Sequence, residues 1–430
     1  MAGNWRYVKL EDIAADKDRP FAMGPFGSNI RAVNYRESGI PVIRGINLGK
    51  PGEPRFESDD FTFLTEAKAN ELSSSSAYPK DVVFVAQGTV GKVGIVPSDT
   101  PYEQFILSQN LMKVTLNEDV ADPLFVFYYF RSREGQHEIL SYVNPTGVPC
   151  ISKPLTSLRQ FKVRLPSDVK EQKAIACILG ALDDKIEFNR RMNQTLEAIT
   201  RTIFESWFVA FDPVISKAGK QSPSGMTPEV ADCFPDAFIN LESGSMPMGW
   251  QMHQLNEVCE FAYGKALKAS DRVSGHIAVM GSNGQVGWHN EALVAGPGVV
   301  VGRKGNPGIV TWVHRDFYPI DTTFYVVPTM KDMPLTFLYE AIKKLNLPKL
   351  SSDSAVPGLN RNFAYMSRIV VPTTDVLRAF DRQATPLYQR RFIADEQTHL
   401  LIEIRDALLP QLIDGLIGLE KAEQIVGRCT

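Results

Sequence analysis

"ILGALDDKIEFNRRMNQTLEAITRTIFESWF", from Ile178 to Phe208, carries a seven-residue repeat. Ile175, Leu182, Leu196 and Ile203 share one strict register, Asn189 fills the missing position, and Ile178, Ile186, Ile199 and Trp207 fall three or four residues away. Apolar residues at this spacing make the narrow seam of a coiled coil, not the broad stripe of an ordinary packed helix. The spacing predicts one helix from about Asp168 to Phe208, ~60 Å long at ~1.5 Å per residue. Asn189 and Asn193 read in two ways: as polar groups that fix register and partner orientation, or as an interruption of the helix.

The rod returns later in the chain. Phe380, Leu387, Ala394, Leu401 and Leu408 again fall on strict sevens, with Leu387 aligned to Leu182. The segments before each rod repeat as well. "WRYVKLEDI" (5–13) returns as "WQMHQLNEV" (250–258), and "GIPVIRGIN" (39–47) as "GHIAVMGSN" (275–283). "DVVFVAQGTVG" (81–91) returns as "GVVVGRKGNPG" (298–308), and "GVPCIS" (147–152) as "AVPGLN" (355–360). Self-similarity in one fixed order reads as a duplicated unit, each copy a globule followed by a rod. The second copy is the shorter, mostly between its glycine pairs.

The expected division is a first globule at 1–167, a first long helix at 168–211, a linker at 212–249, a second globule at 250–373, a second long helix at 374–417 and a tail at 418–430. Pro213, Pro223, Pro228, Pro235 and Pro247 cannot continue a helix and suit a linker that turns and travels. A returning chain packs its two rods antiparallel most simply. Pro386, one residue before Leu387, predicts a kink in the second rod. Short β-branched runs (82–86, 299–301, 324–327) alternate with helix-like stretches (124–131, 335–345), so the fold class is α+β: two similar globular domains and two long helices paired as an antiparallel coiled coil.

Composition narrows the function. Of 430 residues, 44% are hydrophobic and 22% charged, the balance of an ordinary globular protein. Five scattered cysteines without a CxxC suit a reducing, cytoplasmic location. "MAGNWRYVKLEDIA" lacks the apolar core of an export signal, and no apolar run is long enough to span a membrane. The net charge of −3 sets 46 basic against 49 acidic residues, whereas a simple reader of nucleic acid is usually basic.

No catalytic constellation is present in the sequence. There is no GxxxxGK[ST], GxSxG or HExxH, and the six histidines show no metal spacing. The glycine stretches "GPFGSNI" (24–30), "QGTVGKVG" (87–94), "GSNGQVG" (281–287) and "GRKGNPG" (302–308) read either as tight β-turns or as turn tips that face a partner. Arg44, Asn47 and Lys92 in the first copy, and Asn283, Gln285, Arg303 and Lys304 in the second, lie in or beside such segments. Cationic and amide groups at turn tips suit phosphate and base-edge contacts. The apolar rod ends, with Phe204, Trp207 and Phe208 in the first and Leu408 and Leu412 in the second, read as local core or as docking sites for another subunit.

These residues resemble the specificity subunit of type I restriction–modification enzymes. "YRESGIPVIRGIN", "DVVFVAQGTVGKVGIVP" and "TGVPCISKPLTSLRQFKVRLP" are similar to its target-recognition domain, and the segment "EQKAIACILGALDDKIEFNRRMNQTLEAITRTIFESWFVAFDPV" to its central conserved region. "FPDAF" and "PMGW" resemble its linker. "YGKAL", "VMGSNGQVGW", "GPGVVVGRKGNPGIV" and "IRDALLPQLIDG" resemble its second recognition domain and distal conserved region, so the likeness runs from about residue 5 to 418. It implies a chain without catalysis of its own, in which each domain reads one half of a bipartite duplex DNA target and the helices set the spacing. Half-sites on one face of the duplex lie about 10 bp apart or a multiple of that.

It further implies two methyltransferase (modification) subunits docked on the helices, restriction subunits carrying nuclease and translocase, and S-adenosylmethionine, ATP and Mg2+ on those partners, with none on this chain. Partners that supply phosphate contacts would reconcile the acidic balance with DNA binding. The alternative is a coiled-coil scaffold that binds proteins without DNA specificity.

Overall fold

The computed structural model describes residues 5–58, 60–144, 147–241, 244–350 and 358–427. The chain divides into two compact units, one of residues 1–190 with 396–430 and one of residues 191–395. The two long helices, Val169–Phe208 and Thr374–Ile413, are shared between them. Among the described residues no helix is long and apolar enough to cross a membrane.

In the first unit, Trp5–Lys9 pairs antiparallel with Lys162–Pro166. Beyond this pair lies a four-stranded antiparallel sheet in the order Phe21–Met23, Leu111–Val114, Val82–Val85, Val93–Ile95. Every residue of Val82–Val85 is buried, as an unbroken apolar run in a central strand requires. The helix Pro123–Arg131 covers this sheet, setting Phe130 edge-on to Phe84 with ring centroids 5.2 Å apart. Its start is written locally: Pro123 needs no N–H there, and Asp122 Oδ1 accepts from the Phe125 N–H at 2.8 Å. A second sheet runs Thr62–Leu64, Ile40–Ile43, Phe105–Leu107, Ser76–Ala77, with its middle pair parallel.

The second unit repeats this plan. Gln251–Gln254 pairs with Arg368–Val371. Four antiparallel strands follow the order Cys259–Tyr263, Thr323–Pro328, Gly298–Gly302, Val310–Val313. A three-stranded sheet of Gly284–His289, Ile277–Gly281 and Phe317–Pro319 again holds a parallel pair. The repeated segments of sequence therefore occupy repeated positions in the sheets. In place of the strand Ser76–Ala77, the second unit has a single antiparallel bridge, Val294 to Phe317.

The long helices pair antiparallel. In the second unit Asn193 bonds Asp395 at 2.5 Å and Glu197 meets Arg391 at 3.0 Å, so four residues forward on one helix are four back on the other. By number the same register sets Asp183 against Arg405 in the first unit, where they meet at 2.7 Å. Ile175, Ile178, Leu182 and Ile186 join Leu401 and Leu408 in the core of the first unit. Asn189 is fully buried, and the helix runs through it and Asn193 without interruption.

Two expectations are corrected. Ile199 is 42% exposed, and the buried position beside it is Thr200, because the helix turns Ile199 away from its partner. Pro386 lies inside the second long helix, on its exposed side, between buried Ala384 and Tyr388. Residues 212–249 do more than travel. They form the helices Asp212–Ala218 and Pro228–Asp232 and the hairpin Phe238–Leu241 with Gly244–Pro247, and they bury Val214, Phe234 and Met246 in the core of the second unit.

The two helix ends are also built locally. Phe211 takes a left-handed conformation just past the first, and Gly415 does so past the second, where an added Cβ would lie 3.3 Å from the Trp5 indole.

Candidate functional site

Strand direction gathers the glycine segments of the first unit at one edge. Ile43 and Leu107 end parallel neighbours, and the Ser108 N–H donates to the Ile43 carbonyl at 2.8 Å. Met23 and Val85 end at this same edge, next to the start of the Leu111 strand; the Gly24 N–H donates to Leu111 and the Ala86 N–H to Asn110. The Gly88 N–H reaches the Pro149 carbonyl at 2.9 Å, bringing in the "GVPCIS" loop. Segments 24–30, 44–47, 86–92, 108–110 and 149–150 thus form one rim.

The second unit builds an equivalent rim. The Ile320 N–H donates to the Met280 carbonyl at 2.9 Å, in the place that Ser108 and Ile43 hold in the first unit. Tyr263 and Gly302 end their strands beside Phe324 and Thr323. The Leu359 N–H donates to the Arg303 carbonyl at 2.8 Å, as the loop at 149–150 meets Gly88. Of the echoing "AVPGLN", Ala355, Val356 and Pro357 lie outside the described residues, whereas Gly358–Asn360 lie in it. The turn 302–308 depends on glycine: Gly305 and Gly308 have φ of +84° and +81°, and a Cβ on Gly308 would strike the Leu347 and Pro348 backbone.

The sequence-predicted residues fare differently on these rims. Arg44 is half-buried; its Nη2 donates to the Asp60 carbonyl at 2.8 Å and meets the Asp60 carboxylate at 3.1 Å. Lys92 Nζ donates to the Gly45 carbonyl at 3.1 Å, so Lys92 and Arg44 share one corner. Asn47 is corrected. It is fully buried, accepts from the Arg44 N–H at 2.7 Å and donates to the Glu57 carbonyl at 2.7 Å, so it shapes the loop and faces no partner. A cavity of about 270 Å3 opens beside Arg44, lined also by Tyr35, Ser108 and Gln109, three residues that sequence reading missed. Their only signal was proximity to strand ends.

In the second unit Asn283 and Asn306 are hydrogen-bonded across the rim, uniting the "GSNG" and "GRKGNPG" turns. Lys304 is exposed, and Gln285 is exposed on the strand that leaves the turn. Arg303 Nη1 donates to the Asp321 carbonyl at 3.1 Å, and its guanidinium lies 4.8 Å from the centroid of the Tyr263 ring. Arg361, also missed, lies 4.8 Å from the same centroid. Tyr263 is 46% exposed.

The apolar rod ends are corrected as docking groups. Phe204, Trp207 and Phe208 are buried in the second unit's core, with Phe208 and Phe380 ring centroids 5.2 Å apart. Leu408 and Leu412 are buried in the first unit's core. Local packing consumes this surface. The exposed apolar side chains of the long helices are others: Phe188 and Leu400 in the first unit, Ile199 and Ile393 in the second.

The most displaced titratable groups sit in packing around the helices. Burial, then the neighbouring Asp183, holds the Tyr128 hydroxyl well above its usual range. Burial pushes Arg131 down to about 10 and His314 down to about 4. Among the described residues no cluster of His, Cys, Asp and Glu could hold a metal ion. What the rims present is cationic, amide and aromatic chemistry on fixed turns.

Residues 39–198 match the family described as the type I restriction modification DNA specificity domain. The type I restriction enzyme HindI specificity subunit of Haemophilus influenzae is 23% identical over 96% of this chain and 100% of its own length. The MjaIX specificity subunit of Methanocaldococcus jannaschii is 21% identical over 83% of this chain and 82% of its own. The crystal structure of the type I restriction–modification system S subunit from M. genitalium aligns over 95% of this chain and 96% of that chain, with a TM-score of 0.65 at 16% identity, a likeness of fold.

Proposed function

We propose that this chain, which belongs to the type I restriction–modification specificity subunits, is the non-catalytic, sequence-specific DNA-recognition component of its system, with each unit reading one half of a bipartite duplex target. The observation that carries this reading is the duplicated rim. The same strand framework occurs twice, and each copy gathers glycine turns with cationic and amide side chains at the same edge. Half-site recognition needs two such surfaces, with phosphate contacts to position each and base-edge contacts to specify.

Arg44 and Lys92 serve the first half-site, and Asn283, Gln285, Arg303 and Lys304 the second. The long helices, which contribute to both units, set the unspecified gap. Two methyltransferase subunits dock on the helices, with Phe188, Leu400, Ile199 and Ile393 as the apolar contacts, and restriction subunits join that core. S-adenosylmethionine, ATP and Mg2+ belong to those partners, and the assembly works in the cytoplasm. The acidic balance of the chain fits a reader whose partners supply much of the phosphate clamp, so the isolated chain binds DNA weakly and the assembly binds with a steep salt dependence.

The test is selection of duplexes from a randomised pool by the assembled complex. Enrichment of two short specified blocks at one fixed separation is expected. A single contiguous block would reject the two-rim reading, and no enrichment would favour a scaffold without DNA specificity.

A further inference from the structure

We infer that Tyr263, Arg303 and Arg361 form a phosphate-binding site on the second unit, and that this unit is the electrostatic anchor on DNA while the first relies more on shape and base contacts. This rests on the reading that the rims face duplex DNA. The two guanidiniums lie 4.8 Å from the centroid of one ring, and Tyr263 keeps nearly half its surface exposed. Each arginine is held by a backbone carbonyl, Arg303 by Asp321 at 3.1 Å and Arg361 by Phe261 at 3.3 Å. Among the described residues neither meets a carboxylate.

Two positive charges beside one aromatic ring repel each other, and the ring's negative face only partly offsets this. An entering phosphate diester supplies the missing anion, and the carbonyl anchors hold both forks in place before it arrives. Arg361 reaches the rim because the Leu359 N–H is tied to the Arg303 carbonyl, which brings the start of its short helix against the 303–308 turn. Lys304, exposed on that turn, extends the same positive edge.

The first rim is built otherwise. Arg44, its nearest counterpart, is already paired with Asp60 at 3.1 Å, so a phosphate there must compete with a carboxylate. The chain's overall charge divides in the same sense: the second unit has slightly more basic than acidic residues, and the first has the reverse.

The experiment measures binding of the full-length chain, assembled with its modification subunits, to cognate and unrelated duplexes across a salt series. Arg361→Gln is expected to weaken binding to both duplexes alike, roughly tenfold. It should also lower the slope of log affinity against log salt by about 1. Arg361→Lys should restore most of the slope, since the slope counts positive charges at phosphates and not the geometry of the fork. Arg44→Gln should lower the slope less than Arg361→Gln does. An unchanged slope in a folded Arg361→Gln assembly overturns the site, as does a loss confined to one base position. A larger slope change from Arg44→Gln overturns the anchor assignment. Failure of the wild-type assembly to bind any duplex would instead remove the DNA reading itself.

Discussion

Arg405 Nη1 meets Asp183 Oδ1 at 2.7 Å, joining the two long helices inside the first unit with both side chains more than nine-tenths buried. Asp183 also accepts from the Tyr128 hydroxyl at 2.7 Å, and Arg405 Nη2 reaches the Gly52 carbonyl at 3.3 Å. Arg55 bonds Asp184, and Arg131 bonds the Lys50 carbonyl. Three arginines therefore tie the loop after Asn47, which starts at the rim, to the helix pair and its neighbour. The second unit holds an echo with roles exchanged: the Tyr388 hydroxyl, on the long helix, donates to Glu340 at 2.7 Å.

Removing one partner of a buried ion pair strands the other. Arg405→Ala should cost about 3–5 kcal/mol in urea unfolding of the first unit. Replacing both, as Arg405→Met with Asp183→Leu, should recover much of that loss. A double-mutant cycle that shows no coupling would refute the pairing.

Glu197 should make stability depend on acid. Burial alone would raise its pKa, but the hydrogen bond from Lys343 at 2.7 Å and the charge of Arg391 outweigh burial and lower it. A lowered folded value means the contribution is present above the ordinary glutamate value of ~4.3 and lost as pH falls through the folded one. Glu197 is partly exposed, so the effect at neutral pH is under ~1 kcal/mol. Wild type and Glu197→Gln should differ at pH 7 and converge as the pH falls below the ordinary glutamate range; a gap that widens in acid would contradict this.

Thiol chemistry separates buried from open sites. Burial pushes Cys259 up to about 12, whereas Cys177 is exposed on the first long helix. In native protein an alkylating reagent should label Cys177 and spare Cys259 until denaturant is added. Labelling of Cys259 at a comparable rate, read by mass spectrometry, would contradict its burial.

Much of this architecture was legible because its signals are local and periodic. The sevens of Leu182 and Leu401 fixed the helices, and the paired "DVVFV" and "GVVVG" runs fixed the central strands. What was not legible depends on contacts across the sequence. Ile199 fits the seam spacing, yet the partner helix selects Thr200. Asn47 looks like a turn-tip amide until Glu57, ten residues away, accepts its donor. Phe204, Trp207 and Phe208 look like a sticky end until Phe337, Phe380 and Trp250 cover them. Arg361 carried no motif, and only the fold sets it against Tyr263.

Base reading and phosphate contact should separate on the second rim. Arg303→Ala in the assembled complex should weaken binding to all duplexes alike, by about 1–3 kcal/mol, and Lys304→Ala should also weaken all sequences alike. Gln285→Ala should instead relax preference at one base position. Competition with single-substitution duplexes measures both, and no loss for Arg303→Ala would remove it from the interface.

The exposed apolar groups of the helices predict where partners sit. Phe188→Asp with Leu400→Asp should leave the thermal midpoint within a few degrees of wild type, since surface changes are usually within ~0.5 kcal/mol. It should reduce co-purification of a modification subunit. Undiminished assembly would place docking elsewhere.

The central claim is that this chain reads a bipartite target for a methylating complex. The most direct test is a genome-wide map of methylated bases in the host, with and without the gene. The account predicts the loss of one split motif, two short specified blocks around a fixed unspecified gap, with every other methylation mark retained. A map that is unchanged, or one that loses only an unbroken motif, would contradict it.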